Sequence, residues 1–340
     1  MVRSDLPLWC PPPGLHRFDV LGVGESSLDR MAVLGCSPRP GGKLRARQWL
    51  EGAGGQVATA VLACRRLGMR AALATAVGDD PAAEQILAPL EAAGIDLARS
   101  RRVAAARSRT ALILVNEQTG ARTVIWYRDA RLILEASELR REHILQARML
   151  HLDASDPELA RWAAGVAVEQ GRAVTLDVDA PAPGLEELLR RVDFPIVPRA
   201  FAEEFFGTRS PLEALRGLIQ LGARFPVVTL DAQGAVGGAP DQAIWSPAFP
   251  VDVRDTTGAG DAFHGGFLWG LLRGLGGPAI LRVANATAAM NCRALGAQAG
   301  LPTLEELESF LSEHGRRERA AGRREETGSS GSVRGGEGSP

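Results

Sequence analysis

The segment DTTGAGDAFHGGF, from Asp255 to Phe267, places two aspartates among four glycines immediately before an apolar stretch. The apolar pattern that follows predicts a helix beginning next to GAGD, so the amides of Gly258, Ala259 and Gly260 would lie at its N-terminus. Such amides have no acceptor within the helix, and the helix dipole favours an anion beside them. Asp261 in the same turn could take a proton from an attacking hydroxyl. The segment therefore indicates phosphoryl transfer, with Asp261 as the general base and the three amides as an anion hole.

GAGD also has a purely structural interpretation. Aspartate is a favoured helix N-cap, and glycine-rich turns between a strand and a helix are common. Taken alone, the four residues favour this ordinary cap, so the chemical interpretation depends on the rest of the chain.

The order of elements around the segment predicts an α/β protein. FDVLGVG at 18–24 is typical of a strand, residues 58–68 have helical periodicity, and a second strand and helix follow at 71–78 and 82–94. Later strands are predicted at 149–155, 173–179, 194–198 and 226–234. Such alternation implies a mainly parallel sheet covered by helices on both faces. We expect one domain over 17–313, an irregular N-terminus over 1–16 and a disordered, charged and Gly/Ser-rich tail over 314–340.

Two segments of the N-terminal half interrupt this alternation. Residues 110–127 contain two β-rich runs around a polar turn, which indicates a hairpin, and residues 27–49 lack helical periodicity. Together they predict a small β lid, formed from about 27–50 and 108–128. Because an exposed strand edge can pair with another chain, we expect a homodimer through the lid.

Two distant segments resemble the signatures of one enzyme family. DTTGAGDAFHGGF is similar to the C-terminal signature of the ribokinase-like (PfkB) carbohydrate kinases, and GAGGQVATAVLACRRLG at 52–68 resembles their other signature. The resemblance runs from about Phe18 to Leu311 and implies a three-layer α/β/α domain with a β lid. It also implies ATP-dependent phosphorylation of a sugar hydroxyl, with Mg²⁺ bridging the phosphates. FPVDVRDTTGAGDAFHG and LDVD at 176–179 are most similar to the ketohexokinase and sulfofructose kinase side of the family, which implies a primary hydroxyl of a ketose or related sugar.

The resemblance also assigns roles to individual residues. Matching positions on the sugar side are Asp29, Gly54, Gly55 and Thr59, although family members often carry asparagine in place of Thr59. Matching positions on the nucleotide side are Thr229, Gly234, Thr257, Gly258, Gly260 and Asn285. Asp255 and Thr257 match positions that help to bind a monovalent cation such as K⁺ in many members.

Some features leave other functions open. An Asn-x-x-Glu motif linked to Mg²⁺ and phosphate is expected near 197–207, but Pro198 and Phe201 occupy its places. A nucleoside kinase of the same fold, or a non-catalytic sugar-binding protein that kept the fold, therefore stays an alternative.

Three further groups of residues have two interpretations each. Arg128, at the end of the hairpin, could reach a substrate from the lid or form a surface ion pair. Asp177 and Asp179 end a parallel strand, where open α/β sheets bind ligands, but aspartates also form turns. His264 lies three residues after Asp261 and could carry protons, although packing or a hydrogen bond is the commoner role of a single histidine.

The composition points away from several other classes of protein. The 340 residues are 45% hydrophobic and 23% charged, as in globular proteins, and the net charge of -1 favours neither nucleic acid nor anionic membrane. We find no apolar run long enough to cross a bilayer and no signal-peptide pattern. The four cysteines have no paired spacing, which predicts reduced thiols in a cytoplasmic protein and no zinc site.

Overall fold

The computed structural model describes residues 8–9, 15–135 and 137–329, with side chains as far as Arg316. Strands and helices alternate along most of this part of the chain. The strands are β1 (Phe18–Val23), β2 (Ser27–Leu34), β3 (Gln48–Gly54), β4 (Ala71–Ala74), β5 (Ala76–Gly78), β6 (Arg101–Val103), β7 (Thr110–Asn116), β8 (Arg122–Tyr127), β9 (Ala147–Asp153), β10 (Ala173–Asp177), β11 (Phe194–Pro198), β12 (Val227–Thr229), β13 (Ala235–Gly237) and β14 (Ile244–Ser246). The helices are α1 (Gln56–Arg66), α2 (Pro81–Ala92), α3 (Arg141–Leu145), α4 (Pro157–Glu169), α5 (Leu185–Leu189), α6 (Arg199–Phe206), α7 (Pro211–Gln220), α8 (Ala259–Leu272), α9 (Gly277–Asn291) and α10 (Leu304–Ser329).

The large sheet has eight strands in the order β14-β13-β12-β11-β10-β9-β1-β4. Every neighbouring pair from β4 to β12 is parallel, and at the other edge β13 pairs antiparallel with both β12 and β14. All residues of β1, β4 and β10 are buried, as expected for strands with both faces covered. The prediction of a mainly parallel sheet is therefore confirmed.

Helices cover both faces of this sheet. One apolar core joins the sheet to α4 and α7 through residues such as Leu159 and Leu215, and another joins it to α1, α8 and α9 through Val61, Phe267 and Ile280. α4 buries Leu159, Ala163 and Val166 against the sheet, whereas α8 is buried on nearly all sides, because α1 and α9 pack beside it. The result is the three-layer α/β/α arrangement expected from the sequence.

A smaller, four-stranded sheet has the order β3-β2-β7-β8 and is called the lid below. β2 pairs antiparallel with β3 and parallel with β7, while β7 and β8 form the antiparallel hairpin predicted around the polar turn. The second sheet is confirmed, but its mixed pairing could not be read from the sequence because it depends on contacts between distant segments.

Two predicted strands are divided in the structure. The run 71–78 gives β4 in the large sheet and β5, which pairs with β6. The run 226–234 ends as a strand at Thr229, and the chain turns at Gly234 into β13. Gly234 has a φ of 95°, and a Cβ there would lie 2.1 Å from the Ser246 carbonyl oxygen, so this tight return requires glycine.

The C-terminal helix differs from the predicted disordered tail. α10 extends through Leu304–Ser329, so helical backbone continues well beyond residue 314. Ala, Arg and Glu in this stretch have high helix propensity even where little apolar surface is available, and the disorder of the tail stays a prediction. Residues 330–340 of the predicted tail, and residues 1–7 and 10–14 of the predicted irregular N-terminus, lie outside the described residues. None of the described helices is long and apolar enough to cross a membrane.

Candidate active site

Residues 255–261, called the glycine loop below, lead directly into α8. Gly258 is the N-cap of α8 and has a φ of 75°, in the left-handed region. A Cβ at Gly258 would lie 2.4 Å from the Ala297 carbonyl oxygen, so the loop packs against the 297 backbone too closely for a side chain. Glycine is therefore required here both by its conformation and by its neighbour.

Asp255 holds the glycine loop from inside. One of its carboxylate oxygens accepts hydrogen bonds from the Thr257 amide (2.9 Å) and hydroxyl (2.7 Å), and the other accepts from the Gly296 amide (2.8 Å). Asp255 is fully buried, so these three bonds are shielded from water. This arrangement explains Asp255 as a support of the loop, and any cation bound there would have to share its oxygens.

The glycine loop leaves several backbone amides unpaired. The Ala259 amide donates to the Thr256 carbonyl (3.2 Å), whereas the amides of Gly258, Gly260 and Asp261 have no acceptor among the described residues. The anion hole predicted over 258–260 thus differs at Ala259, whose amide is already used. The open amides still lie at a helix N-terminus, where the dipole favours an anion.

A cavity of about 230 Å³ lies between the lid and the edge of the large sheet at which β10 and β11 end. Its charged lining consists of Asp29, Asp177, Asp179, Asp261, Arg109 and Arg122. Thr257, Gly258 and Gly260 line it as well, so the glycine loop forms one of its walls. A cavity at the carboxyl edge of parallel strands is the usual ligand site of an open α/β sheet.

Asp261 is half-buried in this wall, in the first turn of α8. Burial raises its pKa well above the usual value, and the charge of Asp177 raises that pKa further, whereas Arg122 lowers it. Raised basicity suits a carboxylate that must take a proton from a hydroxyl.

Asp29 faces the same cavity from the lid strand β2. The Ser27 hydroxyl donates to its carboxylate (2.7 Å), and a Cβ at Gly54 would lie 2.0 Å from that carboxylate, so Gly54 leaves room for it. Burial raises the pKa of Asp29, and the bond from Ser27 opposes this effect. Gly55, with a φ of 97°, begins α1 and lines the cavity beside Asp29.

Three predicted sugar-binding residues do not line the cavity: Gly54, which leaves room for the Asp29 carboxylate, and Thr59 and Arg128. Thr59 is fully buried, and its hydroxyl accepts a hydrogen bond from the Gln298 side chain (3.2 Å). Arg128 points away from the cavity and donates to the carbonyls of Leu132 (2.6 Å) and Ser155 (3.1 Å). The structure therefore corrects the placement of Arg128, because the chain turns after β8 and directs its side chain to the base of the lid.

Some of the predicted nucleotide-binding residues line the cavity, and others lie outside it. Thr229 and Thr257 line the cavity, whereas Gly234 serves the turn into β13. The buried Asn285 donates its amide hydrogens to the Ser246 carbonyl (2.9 Å), the Ser246 hydroxyl (3.0 Å) and the Pro247 carbonyl (3.3 Å). It therefore fixes the segment after β14 and does not reach the cavity itself.

Two arginines in the cavity were missed by sequence reasoning. Arg122, in the lid strand β8, donates to the Thr256 hydroxyl (2.9 Å) and makes no ion pair among the described residues. Arg109 is paired with Glu25 (2.8 Å) and lies over the Trp126 ring. Alternation along β8 could have indicated Arg122, because it lies two residues from the cavity-lining Val124 and so faces the same side.

The base of the lid contains a second charged group, called the hinge cluster below: Glu25, Arg109, Arg128 and Asp153. Glu25 pairs with both arginines, which flank the hairpin β7–β8, at 2.8 and 3.5 Å. Asp153 accepts a hydrogen bond from the Glu25 amide (2.6 Å). Burial, together with the charge of Asp153, raises the pKa of Glu25 to about 7. The protonated and ionised forms of Glu25 are therefore close in population near pH 7, at the point where the lid joins the large domain.

The described residues contain no group of three or more His, Cys, Asp or Glu side chains that could hold a metal ion. A Mg²⁺ ion usually keeps several waters and uses substrate phosphates with one or two carboxylates. The cavity therefore fits a Mg²⁺ that arrives with a nucleotide better than one held by the protein alone.

Comparison with known proteins agrees with this geometry. The family model described as pfkB family carbohydrate kinase matches residues 19–304. A deoxyribokinase from Salmonella typhi is 28% identical over 309 residues, covering 87% of this chain and 99% of that protein. A nucleoside kinase from Methanothermobacter thermautotrophicus is 28% identical over 308 residues, covering 87% and 97%. The crystal structure of a ribokinase from Thermotoga maritima has a TM-score of 0.74 at 25% identity, covering 87% of this chain and 99% of that one.

The match extends over both sheets and over both segments that carry the sequence resemblance. Kinases of this family transfer a phosphoryl group from ATP and typically require a divalent metal. The chain belongs to the pfkB family of carbohydrate kinases.

Proposed function

We propose that the protein transfers the γ-phosphoryl group of ATP to a primary hydroxyl of a ketose or related sugar, with Asp261 as the general base. One observation carries this proposal: Asp261 and the unpaired amides of the glycine loop line the same cavity as Asp29 of the lid. A proton acceptor, an anion site and a hydroxyl-binding carboxylate then surround one space, as phosphoryl transfer to a sugar requires.

The residues on each side of the cavity have a distinct role in this reaction. Asp261 removes the proton of the attacking hydroxyl, while the amides of Gly258 and Gly260 donate to the oxygens of the transferred group. Arg122 offers a guanidinium from the opposite wall, where no carboxylate within ion-pairing distance among the described residues neutralises it. Charge that develops on the phosphoryl group is then met from both sides.

The lid provides the sugar side and excludes water. Asp29 can accept hydrogen bonds from two hydroxyls, and Gly55 lets a ring approach the backbone closely. The hairpin tip reaches the glycine loop, because the Thr256 hydroxyl donates to the Gly120 carbonyl (3.3 Å) and accepts from Arg122. Closure of this kind prevents transfer of the phosphoryl group to water.

ATP is placed along the carboxyl edge of the sheet, next to Thr229 and Thr257. Mg²⁺ would be held through the phosphate oxygens and waters and would neutralise their charge. K⁺ near Asp255 and Thr257 is a further part of the proposal, supported by the position of both residues in the glycine loop.

The test is a coupled ADP-release screen over ketoses, aldoses, sulfo-sugars, sugar phosphates and nucleosides, with and without Mg²⁺ and K⁺. We expect turnover with a sugar and a fall in kcat of at least ~10²-fold for Asp261→Ala, because a general base contributes about 10²–10⁴-fold. Sugar binding, measured by calorimetry, should survive in the variant.

Three other outcomes are informative. Near-normal turnover by Asp261→Ala would contradict the assigned base. Turnover with nucleosides alone would favour the nucleoside kinase alternative, for which the 28% identical nucleoside kinase is the supporting observation. Sugar binding without ADP release would favour the non-catalytic alternative.

We also propose that the lid forms the contact of a homodimer. β8 is an edge strand, and its neighbouring large side chains Ile125 and Tyr127 are both 56% exposed on one face. We expect a dimer in sedimentation velocity that Ile125→Lys converts to a monomer, while the distant exposed Trp245→Lys leaves it intact. A wild-type monomer at all concentrations would contradict this contact.

A further inference from the structure

Arg109 and Asp29 face the cavity from neighbouring strands of the lid. Asp29 of β2 is the register partner of Ala111 in β7, so Arg109, two residues before Ala111, lies diagonally across from Asp29 on the same face. The Leu28 amide donates to the Arg109 carbonyl (3.0 Å), which continues the pairing of the two strands to this point. Both side chains line the cavity, so a ligand there meets an anion and a cation on one face of the lid.

These two opposite charges lie near each other but do not form an ion pair. In the described part of the chain, the guanidinium of Arg109 pairs with Glu25 and not with Asp29. Burial raises the pKa of Asp29, and the hydrogen bond from Ser27 and the charge of Arg109 act against this effect, so the two charges interact. Because both side chains line the cavity, the space between them belongs to it.

Two neighbours fix the guanidinium of Arg109. Its Nε lies 2.8 Å from Glu25 Oε2, at the base of the lid. On the lid strand β8, the Trp126 ring faces the guanidinium, with 5.4 Å between the ring centre and the Arg109 Cζ atom. No other described residue pairs with this guanidinium or accepts a hydrogen bond from it. Its terminal nitrogens are thus held in place and can donate to a ligand.

The chemistry of Arg109 and Asp29 selects the group that can bind between them. A carboxylate accepts hydrogen bonds and a guanidinium only donates them, so a group that satisfies both must do both. A hydroxyl does so, because its proton goes to the carboxylate while its oxygen accepts from the guanidinium. A phosphate or sulfonate would be repelled by Asp29, and an ammonium group by Arg109.

We propose that Arg109 is a sugar-binding residue of the lid, which together with Asp29 binds one neutral hydroxyl of the substrate. The hydroxyl donates to the Asp29 carboxylate and accepts from the Arg109 guanidinium. Trp126 is a positioning residue, which acts by holding that guanidinium. This inference rests on the proposed function and narrows its substrate class to sugars that present a hydroxyl, and no anionic or amino group, to this part of the lid.

The test is calorimetry with D-fructose and D-ribose as probes, in the presence of Mg²⁺ and a non-hydrolysable ATP analogue. We expect Arg109→Ala to lower sugar affinity by about 10- to 100-fold, as for loss of a hydrogen bond from a charged group. Arg109→Lys should lie in between, because it keeps the charge without the planar fork. Failure of both sugars to bind wild type, or equal affinities of wild type and Arg109→Ala, would overturn the proposal.

Arg30→Ala is the matched control. Arg30 follows Asp29 in β2, so it faces the other side of the lid, where it pairs with Glu51 (3.0 Å). Sugar affinity should stay within about 2-fold of wild type, since an exposed ion pair contributes little. A loss equal to that in Arg109→Ala would show that any change of charge on the lid weakens binding, and would overturn the specific role.

Deoxy analogues of the bound sugar, each lacking one hydroxyl, separate a contact from a merely structural role. One analogue should bind wild type at least about 10-fold more weakly than the parent sugar, and Arg109→Ala should change the affinity of that analogue by less than about 3-fold. If Arg109→Ala weakened all analogues equally, Arg109 would act on the shape of the lid and the proposal would fail.

Two variants test the positioning role of Trp126. Trp126→Phe keeps an aromatic face for the guanidinium and should bind sugar nearly as wild type, whereas Trp126→Ala should lose about 3- to 10-fold in affinity. In turnover, the loss should raise KM for the sugar with little change in kcat. Equal affinities of Trp126→Ala and wild type would contradict this role.

The outcomes also separate this inference from the proposed function. Sugar binding that depends on Arg109, without any ADP release, would overturn the proposed function and support the role of Arg109. Sugar phosphorylation with the same KM in wild type and Arg109→Ala would overturn the role of Arg109 and leave the proposed function standing.

Discussion

The glycine loop and the lid meet at one cavity, but they hold its residues by different means. In the loop, the φ of Gly258 and the bonds from Asp255 to Thr257 fix the amides and Asp261 within seven consecutive residues. Contacts from elsewhere in the chain add to these bonds: the Gly296 amide and the Asn291 side chain donate to Asp255 and to the Thr257 carbonyl, and Thr256 meets the hairpin tip. The phosphoryl-transfer side is therefore set mainly by local geometry.

In the lid, the corresponding contacts join residues far apart in the sequence. Near the tip of the hairpin, Arg122 donates to the hydroxyl of Thr256, 134 residues away. At the base of the hairpin, Glu25 pairs with Arg109 and Arg128. These contacts are ionic or charge-assisted, and the hinge cluster includes a carboxyl group with a pKa of about 7. The lid side is thus set by charged contacts between distant segments, whereas the loop side is set mainly by closely packed backbone.

The largest effect is expected from Gly258→Ala, which disturbs the backbone of the glycine loop. The new Cβ would lie 2.4 Å from the Ala297 carbonyl oxygen, so the loop must shift, and its amides would no longer point at the transferred phosphoryl group. We expect kcat to fall by about 10²–10³-fold, as for loss of an anion-hole donor, together with a lower urea midpoint.

Gly171→Ala is the matched control for this change. Gly171 also has a positive φ, 65°, but no atom lies within 4 Å of a Cβ built there, so it measures the cost of left-handed backbone alone. If Gly258→Ala behaved like Gly171→Ala in both measurements, the loop would not be set by close packing.

An intermediate effect is expected from Arg122→Ala, which removes the cation of the lid. Loss of a hydrogen-bonded charge facing the phosphoryl group should lower kcat/KM by about 10- to 100-fold, with Arg122→Lys in between. Because Arg122 lowers the pKa of Asp261, the acid limb of the profile should also move to higher pH. The exposed lid residue Arg45, changed to Ala, should leave both unaffected; equal losses in the two variants would contradict a specific role.

The smallest effect is expected at the hinge, from Glu25→Gln. The folded-state pKa of Glu25 is raised from 4.5 to about 7, so the folded protein binds more protons than the unfolded chain between these values. This group therefore favours folding at low pH and loses that contribution as pH rises from about 4.5 to about 7. Glutamine cannot titrate, so the free energy of unfolding of Glu25→Gln relative to wild type should increase over this window.

Urea titrations at several pH values measure this difference. Glu84→Gln, which removes one partner of an exposed ion pair with Arg102, is the control and should show little pH dependence relative to wild type. If the free energy of unfolding of Glu25→Gln ran parallel to that of wild type across these pH values, protonation of Glu25 in the hinge cluster would not be linked to folding.

The sequence was most informative where the structure is local. The helix after GAGD, the helix predicted over 58–68 and the hairpin β7–β8 follow from nearby residues, and all three occur in the structure, the second as α1. For Arg128 the sequence left a substrate contact and an ion pair open, and the side chain lies outside the cavity and pairs with Glu25, a partner that the sequence alone could not identify. The predicted disorder of residues 314–340 stays a prediction, although α10 carries helical backbone into the first part of that range.

The sequence by itself determined the family, the mainly parallel sheet and Asp261 as the residue proposed for chemistry, since each depends on short patterns with a local physical meaning. Only the tertiary structure brought Asp177 and His264 behind Asp261, Arg122 opposite it, and Glu25 between two arginines. The reason is that burial and charge act through space: the pKa of a carboxyl group depends on neighbours that the chain supplies from distant strands.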